Sequence, residues 1–251
     1  MPRIGRTILP RIRKSFEERG VLVTLTRSVL LPFHLLREYW SARRLPRERR
    51  TSEFDQRYGV DTEGDIDGWT YLSDLNISSS NWIHGKNYAA IEPERFRALM
   101  AALPINFSDF TFVDFGSGKG RALLLASEYP FKKILGLEFS PELHDVALAN
   151  IRRYRNDAQK CMAIESRVMD FVQFGFPSEP LVLYFFDPSD ARVIGQVMKN
   201  LERSVRDHPR EVYVAYVGPG AAELPHFLNA VVVDRGLQFS VYRVDGVRGV
   251  A

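Results

Sequence analysis

Cysteine is almost missing from this 251-residue chain. Cys161 is the only one, so no intrachain disulfide can form, and a zinc site built on clustered cysteine and histidine has no ligands to draw on. No metal is expected. Poverty in cysteine fits a reducing, cytoplasmic compartment. A long apolar run is missing as well. Residues 21–36 fall short of the roughly 20 that span a bilayer, and they contain Arg27 and Pro32. The clean apolar core and small-residue cleavage site of a secretory signal are not visible. Internal repeats and low-complexity tracts do not occur.

What is present is an ordinary globular balance of 45% hydrophobic and 26% charged residues, which allows a sizeable core for one α/β domain with an extension. The charge is unevenly spread. Residues 1–50 hold 13 Arg/Lys against 4 acids, a net of +9, whereas residues 51–251 hold 21 against 27, a net of −6. Two parts with different tasks are implied, with a boundary near residue 50 in the Arg-rich, Pro46-containing stretch. In the basic part Leu22, Leu25, Val29, Phe33, Leu36 and Trp40 recur in steps of three and four, the spacing of one helix face. Residues 20–40 therefore read as an amphipathic helix that packs on the domain or a partner chain, or lies on an anionic membrane surface. The latter makes the protein cytoplasmic and peripheral to the membrane. Arg43-Arg44 and residues 47–50 form a cationic patch that would also suit nucleic acid or a solvated linker.

Residues 53–87 read as loop-rich, with Gly59, Gly64, Gly68 and a Ser78-Ser79-Ser80-Asn81 turn cluster, forming a cap over one edge of the core. Beyond Glu92 the pattern is regular. Strands are predicted at 110–115, 133–139, 164–171, 181–186 and 211–217. Helices alternate with them, starting at Pro93 and covering 121–129, 141–155 and 191–206, with Ser140 as an N-cap and Pro141 in the first helical position. An antiparallel pair at 231–233 and 239–244 closes the sheet around a turn at Asp234-Arg235-Gly236. Strands alternating with helices, and apolar on both faces, predict a doubly wound, mostly parallel α/β sheet of seven strands.

The passage richest in site chemistry is Asp114-Phe115-Gly116-Ser117-Gly118-Lys119-Gly120-Arg121. Its glycines lie between a buried strand and a helix, where a ligand needs close backbone approach and the helix start offers N–H groups. Dinucleotide sites show G-x-G-x-x-G/A; here the spacing is G-x-G-x-G, with no phosphate-binding Lys-Ser/Thr after it. Glu138 ends the next strand, 20 residues after Gly118, where a carboxylate can accept both ribose hydroxyls of an adenosine or simply cap the following helix. Asp170-Phe171 ends the third strand, suited to an adenine amino group and ring face, or to an ordinary turn. Asp187-Pro188-Ser189 ends the fourth strand. Asp187 would receive or orient an incoming amine, or else start the turn.

Residues 112–121 and 136–141, with Asp170 and Asp187-Pro188, together resemble the class I S-adenosylmethionine-dependent methyltransferases. The nearer likeness is to a bacterial group sharing an upstream Phe-Asp-x-x-Tyr-Gly-Val-Asp-Thr stretch, here residues 54–62. The likeness covers residues 53–217. It implies a Rossmann-like methyltransferase fold over 51–251, S-adenosyl-L-methionine as cofactor, and a methyl acceptor of unknown identity, with a protein side chain or small molecule favoured. By position, Asp114 and the turn of Gly116, Ser117, Gly118 and Gly120 take the methionine part, Glu138 the ribose and Asp170 the adenine. Phe139 and Phe171 complete the cofactor set. One departure stands out: such proteins usually resemble Asn-Pro-Phe after the fourth strand, whereas this chain has Asp187-Pro188-Ser189. Base-methylating enzymes with Asp/Asn-Pro-Pro-Tyr/Phe stack their aromatic on the target base, and Ser189 cannot stack, which weakens a nucleobase acceptor. The Gly-Ser-Gly-x-Gly turn is also similar to that of lysine methyltransferases built on this fold.

Methyl transfer from a sulfonium is an in-line displacement that asks for positioning and desolvation. An amine must also lose a proton, with Asp187 as first candidate and Tyr184 and Glu92 behind it. Cys161 precedes the third strand, away from the site, which argues against cytosine C5 chemistry. His84, His144, His208 and His226 read as surface or turn residues. Two other functions stay open: a non-catalytic binding protein with a vestigial cofactor site, and a nicotinamide-dependent oxidoreductase, disfavoured by the glycine spacing.

Overall fold

A computed structural model of the chain describes residues 52–64, 69–70, 72, 75, 84–226, 230–236 and 239–244. The basic extension expected over 1–50, its amphipathic stretch and the turn cluster at 78–81 lie outside the described residues.

Helix α1 (Glu53–Tyr58) begins where the Ser52 hydroxyl accepts from the Asp55 N–H, and ends at Gly59 in left-handed backbone with φ 64. It adds a short helix to the start of the stretch read as loop-rich; six residues are too few for the helical period to register against three nearby glycines. Strand β1 (Trp69–Thr70) pairs antiparallel with β2 (Tyr88–Ala89). Helix α2 (Pro93–Ala101) carries its proline in the first turn, where the missing N–H costs nothing.

The main sheet follows. Strand β3 (Thr111–Phe115) leads through the glycine turn into α3 (Arg121–Ala126), then β4 (Lys133–Glu138), α4 (Pro141–Arg153) and β5 (Ile164–Val168). After β6 (Leu181–Phe186) come α5 (Ala191–Asp207), β7 (Val212–Val217), β8 (Ala230–Gly236) and β9 (Phe239–Val244). The spatial order is β5-β4-β3-β6-β7-β9-β8. The first five run parallel and β9 antiparallel, and these six make the body of the sheet, with β8 added on the edge of β9. This is the doubly wound, Rossmann-like methyltransferase fold.

Strand residues alternate between two cores. Phe112, Val182, Tyr184 and Ala215 join α2 and α3 on one face, while Val113, Leu183, Phe185 and Val214 join α5 on the other. Burial on both faces is what a parallel sheet requires. The winding reverses between β3 and β6, so the carboxyl ends of these strands flank the crevice where open α/β sheets bind ligands.

Three expected boundaries move. The third strand stops at Val168, because Asp170 caps a 3₁₀ turn, Phe171–Gln173, its carboxylate accepting from the Val172 N–H at 3.0 Å. Residues Asp234, Arg235 and Gly236 belong to β8 rather than to a turn, and Gly236 pairs with Phe239. Helix α3 closes at Ala126, and the Ser127 hydroxyl donates to the Leu124 carbonyl at 2.6 Å. Ser140 caps α4 as expected, accepting from the Leu143 N–H.

Candidate functional site at the switch point

The glycine turn is wound tightly on itself. Gly116, Gly118 and Gly120 have φ of 89, 52 and 88, a region that favours residues without Cβ. Close packing adds to the requirement. A Cβ on Gly116 would come within 2.8 Å of the Pro188 Cβ, and one on Gly118 would overlap the Tyr88 ring. Its N–H groups are not all left open, as the sequence suggested. Those of Gly116 and Ser117 donate to the Leu137 carbonyl at 2.9 and 3.1 Å, and that of Gly120 to the Ser117 carbonyl. The Gly118 N–H donates to Glu138 Oε2 at 2.8 Å, and Ser140 N–H to Oε1 at 2.8 Å. Glu138 therefore sits against the turn at the tip of the neighbouring strand, each carboxylate oxygen keeping lone pairs for another donor.

Burial governs the acids here. It pushes the Glu138 carboxyl up to about 7, against the pull of the Ser140, Gly118 and Phe139 N–H groups. Asp114, also buried, is pushed well above the usual carboxylate range by desolvation and then by the Glu138 charge. Ser117 turns away from the crevice: its side chain packs on Gly136, where a Cβ would lie 2.7 Å from the hydroxyl oxygen, and among the described residues that hydroxyl has no hydrogen-bond partner.

A second layer, which no local pattern announced, holds the turn in place. The Tyr88 hydroxyl donates to the Thr62 carbonyl at 2.5 Å and bonds the Lys119 N–H. Lys119, only 2% exposed, donates to the Glu63 carbonyl and pairs with Asp61. Arg121 is buried and donates to Thr62 Oγ1 at 2.6 Å, to Ser52 Oγ, and to the carboxylates of Asp55 and Glu63. Asn150 ties the Asp61 and Lys119 carbonyls together from α4. The 54–62 stretch is thus a brace beneath the turn.

Residues Phe139, Asp170 and Phe171 line a common hollow, together with Gly85, Pro188, Ser189 and Val193. Its volume is about 10 Å³, the room of one water. The roof is the segment 84–86. Lys86 N–H donates to the Pro188 carbonyl at 3.1 Å and Asp190 N–H to the His84 carbonyl at 3.0 Å. Ser189 Oγ donates to that same His84 carbonyl, and the His84 ring bonds Asp190 at 2.6 Å. His84 is accordingly a buried clamp rather than a surface residue, and Ser189 serves that clamp.

Around Asp187 lies a cleft of about 340 Å³, lined by Lys86, Asp187, Asp190, Ile194, Tyr216 and Pro219 among others. Asp187 has φ 42, a left-handed conformation costing roughly 1–2 kcal/mol for a residue with a Cβ. Its carboxylate accepts from the Tyr216 hydroxyl at 3.0 Å and forms an ion pair with Lys86. Tyr184 is buried, 1% exposed between Phe96 and Phe112, and burial pushes its hydroxyl pKa well up. Glu92 is exposed at the start of α2. Among the described residues no group of three or more His, Cys, Asp and Glu is placed to hold a metal, and no helix is long and apolar enough to cross a membrane.

No protein-family model matches the chain, and no curated protein matches it. Solved structures do resemble it. An RNA methyltransferase from Salinibacter ruber, in complex with S-adenosyl-L-homocysteine, is 18% identical over 65% of this chain and 97% of its own, with a TM-score of 0.43. The ribosomal protein L11 methylase of Lactobacillus delbrueckii subsp. bulgaricus is 12% identical, over 63% and 80%, at 0.44. Magnesium protoporphyrin IX methyltransferase from Synechocystis PCC 6803, with bound S-adenosylmethionine, is 12% identical, over 60% and 75%, at 0.42. These are distant likenesses of fold. The strand order itself, with its antiparallel β9 beside β7, gives the chain the fold of the class I S-adenosylmethionine-dependent methyltransferases.

Proposed function

We propose that the chain is an S-adenosylmethionine-dependent methyltransferase. The observation that carries this reading is Glu138: a buried carboxylate at the tip of β4, hydrogen-bonded to the turn at Gly118, at the point where the sheet reverses its winding. A carboxylate so fixed suits a pair of ribose hydroxyls. Asp114 and Gly116, Ser117, Gly118 and Gly120 would hold the methionine part, Ser117 through its backbone because its hydroxyl packs inward. Phe139, Asp170 and Phe171 would hold the adenine, which needs the 84–86 roof to shift outward, since the hollow admits only about one water.

The cofactor supplies an electrophilic methyl group on a charged sulfur. The protein's share is to fix the acceptor and take its proton, and Asp187, oriented by Tyr216, is the group suited to that. The acceptor is a protein side chain or a small molecule; Ser189, engaged with His84, offers no face on which a base could stack. Calorimetry with S-adenosylhomocysteine tests the reading. Micromolar binding supports it, and saturable NAD binding in its place supports an oxidoreductase.

A division near residue 50 accompanies this proposal, with 1–50 a basic extension and 51–251 the cytoplasmic methyltransferase domain. The net charge of +9 over 1–50 and the apolar spacing within 20–40 support contact with an anionic membrane surface or a partner chain. Vesicle sedimentation of the full chain and of a chain lacking 1–50 checks this: membrane association that survives the deletion excludes the extension as its cause.

A further inference from the structure

We infer that the cleft at the ends of β6 and β7 receives a primary alkylammonium group, and that Lys86 occupies its place in the resting chain. The inference rests on the methyltransferase reading and names the acceptor class for it. Asp187 is the starting point. Among the described residues its carboxylate bonds only side chains, Tyr216 and Lys86, whereas the nearby Asp190 does the structural work, capping α5 through the Val193 N–H and holding His84. Nothing in the turn itself needs a carboxylate at 187.

The surroundings fix that carboxylate. Its backbone is left-handed at φ 42, and Gly218 lies so close that a Cβ there would stand 2.7 Å from the Asp187 Cβ. Opposite Asp187 is an ammonium, that of Lys86. The lysine side chain is 44% exposed on a flexible stem, and an exposed ion pair of this kind is weak and screened by salt. An incoming ammonium can take its place while Asp187 keeps a cation.

The walls select what carries the charge. Ala191, Ile194 and Pro219 give the cleft an apolar lining for a methylene stem. A planar aromatic acceptor would need a stacking face. Tyr216 cannot give one, because it is 1% exposed with its ring stacked on Phe185 at 5.7 Å, and only its hydroxyl turns to Asp187. Pro188, the next residue, packs on Gly116, so an amine at Asp187 stands beside the turn proposed for the methionine part. For transfer, the ammonium gives one proton to the Asp187 carboxylate. The freed lone pair then bonds the methyl carbon as the carbon–sulfur bond breaks, leaving S-adenosylhomocysteine and an N-methylated ammonium.

The test uses n-butylammonium as probe and 1-butanol as its neutral counterpart, by calorimetry on the full chain without cofactor. Lys86→Met should bind n-butylammonium at least tenfold more tightly than the native chain and should not bind 1-butanol. Adding Asp187→Asn, a residue that tolerates left-handed backbone, should remove the binding. Equal affinity in the native chain and Lys86→Met overturns the inference, as does absence of saturable binding in Lys86→Met with an unchanged circular dichroism spectrum. S-adenosylhomocysteine affinity of the same samples separates the two readings. Its presence with no amine binding sinks this inference alone; its absence from the native chain sinks the methyltransferase reading.

Discussion

Glu138 carries two consequences that can be measured separately. Its carboxyl is raised to about 7 in the folded chain from an ordinary value of 4.5, so the folded state holds a proton that the unfolded state has released between these values. Stability from this proton is complete below about pH 4.5 and is lost as pH rises through about 7, an effect of about 3 kcal/mol. Asp114 shifts in the same direction. Without ligand, the melting temperature should therefore fall between pH 5 and 8; a flat profile contradicts the burial argument. Ribose hydroxyls need the ionised carboxylate, so S-adenosylhomocysteine affinity should run the other way, weakening up to about tenfold per pH unit below 7. Glu138→Ala removes both acceptors and should weaken binding by about 3 kcal/mol, roughly 100-fold.

At the scale of elements, the brace and the roof matter most. Arg121→Ala would leave Asp55 buried without its cation, costing about 3–5 kcal/mol. Chemical denaturation should register that loss, and limited proteolysis should then cut within 52–64 before the sheet. The roof makes a different prediction. If adenine enters beside Phe139 and Phe171, the Lys86 and Asp190 N–H groups that link 84–86 to 188–190 should change their hydrogen-exchange protection when S-adenosylhomocysteine binds. Unchanged protection at both amides places the adenine elsewhere.

These two elements also mark the limit of what the sequence disclosed. Strands such as 181–186, apolar at every position, and the Ser140-Pro141 helix start were legible because their signals are local. The same holds for Gly118 and Glu138, which stand at the ends of adjacent strands. Tyr88, Arg121 and His84 were not legible as site residues, since their partners lie 26, 66 and 106 positions away and only the folded chain brings them together. The short helix α1 and the 3₁₀ turn after β5 were missed for a related reason: capping side chains, not periodicity, define them.

For the whole molecule, the parallel sheet supplies a rigid frame, its reversal between β3 and β6 opens a crevice, and the residues at the strand tips give that crevice its chemistry. The most direct measurement is calorimetric titration of the full chain with S-adenosylhomocysteine, beside NAD under the same conditions. The account predicts one site of micromolar affinity for S-adenosylhomocysteine, weakened roughly 100-fold in Glu138→Ala while that variant keeps its folded spectrum, and no binding of NAD. A native, folded chain that takes up no S-adenosylhomocysteine would contradict it.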